Sequence, residues 1–274
     1  MGQAETLLAV LALGLATAAA PAMAAEKPSG LFADPALAHA ACDGKPRAIA
    51  AAVKAGADPN AAGDGVDQDG VPKGVTPLIW AIVCHNPAGV EAMLAAGADP
   101  NHPAPDHRTP VTVAAENPNN AILPILLKHG GDPNSHTDRK TALGLALVRG
   151  AEEEIRGEAP AKAWANWQAL LDAGADINRP DGLRETPMFY ATAEDRYDKV
   201  VELLERGDRG DPVVLGRSLT AYLDIVDRMP ARSVAAQQPW IDKVKAYLDQ
   251  RGVRLPVPPL AGLSKDANGR YIQP

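Results

Sequence analysis

Ala96-Gly-Ala-Asp-Pro-Asn101 is one of four versions of a single six-residue phrase. The others are Ala55-Gly-Ala-Asp-Pro-Asn60, His129-Gly-Gly-Asp-Pro-Asn134 and Ala173-Gly-Ala-Asp-Ile-Asn178. An apolar run precedes each version, and a polar loop ending in a threonine follows it. The threonines open Thr76-Pro-Leu78, Thr109-Pro-Val111, Thr141-Ala-Leu143 and Thr186-Pro-Met188. Thr76 to Thr109 is 33 residues and Thr109 to Thr141 is 32. Self-similarity at such a period marks a chain built by repeating one supersecondary unit, which buries its apolar face only against its neighbours.

Working outward from the phrase, each unit reads as an inner and an outer helix with apolar residues at i, i+3, i+4 spacing. Leu78, Ala81 and Ile82 face Val90, Met93 and Leu94, and Val111, Ala114 and Ala115 face Ile122, Ile125, Leu126 and Leu127. The glycine of the phrase supplies a left-handed helix end, and its Asp and Asn tie the turn that follows. The first unit runs from Pro35 to Asn60, with Pro35 where the later units carry threonine. The fourth, Thr141 to Asn178, is overlong, and the excess Ala151-Glu-Glu-Glu-Ile-Arg-Gly-Glu-Ala-Pro160 is expected as a loop after its inner helix. Trp167 is expected in the core and Trp164 beneath the insertion. The fifth unit runs from Thr186 to Gly207, and helices around 215–229 and 240–250 make a degenerate sixth. Between paired helices the turn position holds Gly44, His85, Pro118, Gly150 and Asp195. Pro118 cannot take a positive φ, so the third unit must turn differently.

Thr-Pro-Leu at one phase and Gly-Ala-Asp-x-Asn at another, about 33 residues apart, resembles the ankyrin repeat. The resemblance covers residues 35–256, strongly in the middle and weakly at the ends. It implies an all-α solenoid of about five repeats with a degenerate C-terminal cap. In that family, partners are held in a concave groove by finger residues before the Thr-Pro-Leu element and by polar positions late in the inner helix. Carried over, this implies Lys73, Asp106, Arg108, Glu116, Asn117, Asp138, Lys140, Arg149, Glu185 and Glu194 as partner-binding residues. Both signs alternate along that strip, which suits a protein partner better than a polyanion. The alternative is that the same charges only keep an exposed face soluble.

A net charge of −7 and a pI near 5.4 argue against a nucleic-acid partner, which needs concentrated basic surface. Residues 1–24 have the layout of a secretory signal peptide: an apolar run from Leu7 to Ala20, then Ala22-Met-Ala24 as cleavage site. The first six residues depart from that layout, having no Lys or Arg and an acidic Glu5. The run is too short for stable membrane insertion, so the expectation is a periplasmic or secreted protein. Residues 25–34 read as a linker and 257–274 as an extended or disordered tail. The Gly/Asp-rich 61–75 segment fails the calcium-loop pattern, because position 12 falls on Thr76, and reads as a solvated loop.

Cys42 and Cys84 leave two alternatives open in an exported protein, a disulfide or two inert thiols. His102, His107 and His136 lie in adjacent finger loops beside Asp106 and Asp138. They lack the fixed spacing of a structural or catalytic zinc site, and no metal or cofactor is expected. Nucleophile elbow, phosphate loop, dinucleotide fingerprint and His-Glu-x-x-His motif are all missing. The function expected is therefore a non-catalytic protein-binding module. The alternative is a metal- or small-ligand-binding protein, or an enzyme, that uses the loop histidines.

Overall fold

The computed structural model describes residues 30–65, 73–225, 231–257, 264–265 and 271–272. The segment read as a signal peptide lies outside the described residues, as do the first half of the linker, the middle of the 61–75 loop and most of the tail. The described chain is helical apart from two two-residue strands, Ser264–Lys265 and Tyr271–Ile272, which pair antiparallel.

Helices start where side chains satisfy the orphan N–H groups of a first turn. Thr76 Oγ1 accepts from the Ile79 N–H at 3.2 Å, and Thr109 and Thr186 do the same for Thr112 and Phe189 at 3.2 and 3.4 Å. Thr141 caps Gly144 at 3.1 Å. In the first unit Asp34, not Pro35, takes the threonine's role: its Oδ1 accepts from Leu37 N at 2.9 Å. These caps open α1 (Pro35–Cys42), α3 (Pro77–Val83), α5 (Pro110–Ala115), α7 (Ala142–Ile155) and α10 (Pro187–Ala193). Each is followed by an antiparallel partner: α2 (Pro46–Lys54), α4 (Pro87–Ala95), α6 (Ile122–Lys128), α9 (Ala165–Asp172) and α11 (Tyr197–Glu205). A short α8 (Pro160–Ala163) precedes α9, and α12 (Pro212–Leu223) with α13 (Ala231–Gln250) closes the order. The last helix begins earlier than the apolar pattern implies and runs through Pro239.

The helices form two rows. In one, α1, α3, α5, α7, α10 and α12 touch in succession; in the other, α2, α4, α6 and α9 do so, and α11 packs on α13. One apolar cluster runs from Leu37 through Leu94, Leu123 and Leu171 to Leu248. Trp167 is fully buried in it.

The six-residue phrase joins neighbouring pairs by hydrogen bonds. Its glycines take positive φ at Gly56, Gly97, Gly130 and Gly174. Its aspartates accept from the backbone N–H two residues on: Asp58 from Asn60, Asp99 from Asn101, Asp132 from Asn134 and Asp176 from Asn178, at 2.8–2.9 Å. The asparagine then reaches the next pair. Asn60 Oδ1 accepts from Asp99 N at 2.8 Å, Asn101 from Asp132 and Asn134 from Asp176 at 2.7 Å, and Asn178 from Arg209 at 2.8 Å. In the fifth pair Arg209 stands in the aspartate's place and Asp211 in the asparagine's, and Asp211 turns its side chain to its own helix, accepting from Val213 N at 2.8 Å.

Three expectations of local structure change. The insertion does not begin as a loop: Ala151 to Ile155 extend α7 to 14 residues, and Gly157 (φ 93°) makes the turn expected at Gly150. Gly150 lies inside the helix because the Trp164 ring covers it; a Cβ there would meet ring carbon Cε3 at 2.5 Å. The described ends of the 61–75 loop are packed, with Gly65 N on Gly30 O at 2.6 Å and Val75 N on Leu31 O at 3.0 Å. At the other end, Val257 is buried, and its N–H donates to Thr220 Oγ1 at 2.9 Å. Cys42 and Cys84 form a disulfide with Cα atoms 5.4 Å apart, joining the ends of α1 and α3. Among the described residues no helix is long and apolar enough to cross a membrane.

Candidate partner-binding strip

The finger loops are held by their own side chains. Asp106 accepts from the Arg108 backbone N–H at 3.2 Å and from its Nε at 2.7 Å. Thr137 Oγ1 accepts from Arg139 N at 3.2 Å and Lys140 N at 2.9 Å. Asp181 Oδ1 accepts from Leu183 N at 2.8 Å and Glu185 N at 2.9 Å, and its Oδ2 accepts from the Tyr190 hydroxyl at 2.5 Å. Side-chain-to-backbone turns of this kind fix a loop without a sheet ladder. Neighbouring fingers also touch. His107 Nδ1 lies 3.2 Å from Asp138 Oδ1, and a Cβ on Gly182 would meet Asp138 O at 1.9 Å.

Behind the fingers, charges from three successive helices of the first row act on one another. Glu116 ends α5 with an exposed surface but is walled in by protein; burial pushes its pKa up, against the pull of Lys140 and Arg108 and with the push of Glu152. Glu194, ending α10, is raised by burial in the same way and feels the same Lys140 and Glu152. Lys140 lies 5.1 Å from the centre of the Tyr190 ring. The Tyr190 hydroxyl is held neutral by burial and by Asp181. Next to Glu194, Asp195 (φ 54°) is pushed up to about 6 by burial and by the Glu194 charge. Among the described residues, Glu116, Glu194 and Asp195 make no ion pair within 4 Å.

The implied partner-binding residues therefore separate. Arg108, Glu116, Asp138, Lys140, Glu185 and Glu194 are exposed or half-buried on or beside this strip, and Asp106 positions Arg108. Lys73 is exposed at the edge of the described residues, with its backbone N–H on Gly65 O at 2.8 Å. Arg149 is turned to its own helix, pairing with Glu153 and, at 3.7 Å, with Glu152. Asn117 is corrected: it is 5% exposed, and its Nδ2 donates to Ile82 O at 2.7 Å. Its Oδ1 accepts from Asn119 N at 2.9 Å and lies 3.0 Å from His85 Nδ1. It ties α3 to the α5–α6 turn and offers a partner nothing.

The sequence reading missed a second polar cluster. Glu154, from the insertion, accepts from Trp164 Nε1 at 2.6 Å and from Arg196 Nη2 at 2.9 Å. Burial works to raise its pKa, but these two hydrogen bonds together with the charges of Arg196 and Lys199 outweigh it and hold the carboxyl below its usual range. Arg196 and Lys199 lie 4.8 and 4.6 Å from the Trp164 ring centre. The pairing spans 42 residues and leaves no local spacing signal. Exposed Phe189, at 47%, sits against Tyr190 and was likewise unmarked. His102 is exposed and His136 Nδ1 lies 3.2 Å from Thr137 O. Among the described residues no group of three or more His, Cys, Asp or Glu is placed to hold a metal ion.

No protein-family model matches the chain. Over 124 residues, 44% of its length, it is 30% identical to Protein PhlB of Serratia liquefaciens, covering 49% of that protein. Over 155 residues, 47% of its length, it is 30% identical to the mitochondrial disaggregase of Homo sapiens, covering 22% of that protein. The chain thus spans about half the length of the first of these relatives and about a fifth of the second.

Proposed function

We propose that this chain is a non-catalytic binding module, an ankyrin-type stack behind a secretory signal, that holds a protein partner along the finger and inner-helix strip. The observation that carries the reading is the meeting of fingers and helix ends from three successive units: His107 against Asp138, Lys140 over the Tyr190 ring, and Glu116 and Glu194 both within the influence of Lys140 and Glu152. A surface assembled from several units and pre-set by its own turns loses little entropy on binding, which favours recognition of an extended partner surface. The ankyrin assignment rests on the period, the threonine caps and the asparagine ladder. Charges of both signs favour a protein over a polyanion. Sharing a segment with two proteins of very different length also suits a transferable binding unit.

The Cys42–Cys84 disulfide supports export, because such bonds persist in oxidising compartments and are rare in reducing ones. Co-purification from the cell envelope fraction, wild type against the double variant Arg108→Glu/Lys140→Glu, tests the strip. The reading expects the partner to be lost while circular dichroism and melting temperature stay unchanged. A partner retained at wild-type yield contradicts it.

A further inference from the structure

One niche between α7, α9 and the α5–α6 turn is lined by Asn117, Ala146, Arg149, Glu153, Lys162 and Asn166, among others, and leaves about 10 Å³ of room for water. Two of the lining residues carry a buried polar atom with no hydrogen-bond partner: Arg149 at Nε, a donor, and Asn166 at Oδ1, an acceptor. Asn166 is 3% exposed. Its Nδ2 donates to the carbonyls of Ala114, Ala115 and Asn117 at 3.1, 3.2 and 3.1 Å. That fixes the amide's orientation, since the reversed amide would set Oδ1 against three carbonyl oxygens. A buried donor and a buried acceptor left unpaired are each costly, because neither regains the hydrogen bond it gave up to water.

We propose that this niche binds a single structural water, which accepts from Arg149 Nε–H and donates to Asn166 Oδ1, with the Glu153 carboxylate as acceptor for its second hydrogen. The room left for water is about 10 Å³, that of a single molecule. An anion there would face Glu153 and a carbonyl-capped amide, and a cation would face Arg149, so the occupant is a neutral molecule that both donates and accepts. The water joins the insertion-lengthened α7 to α9 within the overlong unit, and Asn166 Nδ2 carries the link on to the preceding unit, whatever the strip binds.

A high-resolution crystal structure should show one solvent peak at hydrogen-bond distance, about 3 Å, from both atoms. Magnetic relaxation dispersion of water nuclei should count one long-lived water fewer in Arg149→Met, which keeps the apolar stem but lacks Nε–H. Its helical circular dichroism should be unchanged. A bare niche, a direct Arg149–Asn166 bond, or an unchanged count in folded Arg149→Met overturns the proposal. If Arg149→Met does not fold, the wild-type crystal alone decides.

Discussion

Asp195 combines a left-handed backbone with a carboxyl pushed up to about 6, beside Glu194, and its charge bears on the buried Tyr197 and Tyr222. Its raised pKa means that the folded chain holds a proton which the unfolded chain releases nearer pH 4. Stability from this group is therefore fully present below about pH 4 and is lost as pH rises through about 6. After allowance for solvent screening the loss is about 1 kcal/mol. Asp195→Asn keeps a side chain that tolerates positive φ, so urea titrations should show the pH 4–6 decline in wild type and a flatter profile in the variant. Asn101 makes a similar local prediction. It accepts from Asp132 N and donates to Gly130 O at 2.9 Å, so Asn101→Ala should lower stability by about 1–2 kcal/mol in urea unfolding. Asn117→Ala should cost about 2–3 kcal/mol through its orphaned buried partners.

At the scale of elements, the insertion is the informative departure. Gly150→Val would drive a branched side chain into the Trp164 ring, and overpacking of this kind costs about 1–3 kcal/mol; a melting temperature equal to wild type would refute the packing described. Helix starts and turns were legible in the sequence because threonine caps and Asp-x-Asn turns are side-chain–backbone contacts within three residues. The Gly150 turn was misjudged because no local signal says that an insertion continues a helix until a distant tryptophan covers it. Glu154 and Arg196, Asn117 and Ile82, and Asn166 and Ala114 meet across 35 to 52 residues. The resemblance put Asn117 among the polar positions late in the inner helix, and only the neighbouring pair's position shows that side to be covered there.

For the whole molecule, the disulfide staples the first two helix pairs across 42 residues. By the chain-entropy argument a loop of that length contributes about 3–4 kcal/mol. Reductant should therefore lower the melting temperature, and Cys42→Ser/Cys84→Ser should match the reduced protein; no shift would mean the thiols are not bridged. The two rows of helices set the fingers side by side, and the proposed function depends on that row acting as one surface. Site-directed photo-crosslinking in living cells, with the reactive side chain at Arg108 on the strip or at exposed Ala95 on the second row, tests this most directly. The account predicts a single dominant protein adduct from position 108 and none from position 95. The same adducts from both positions, or none from position 108, would contradict it.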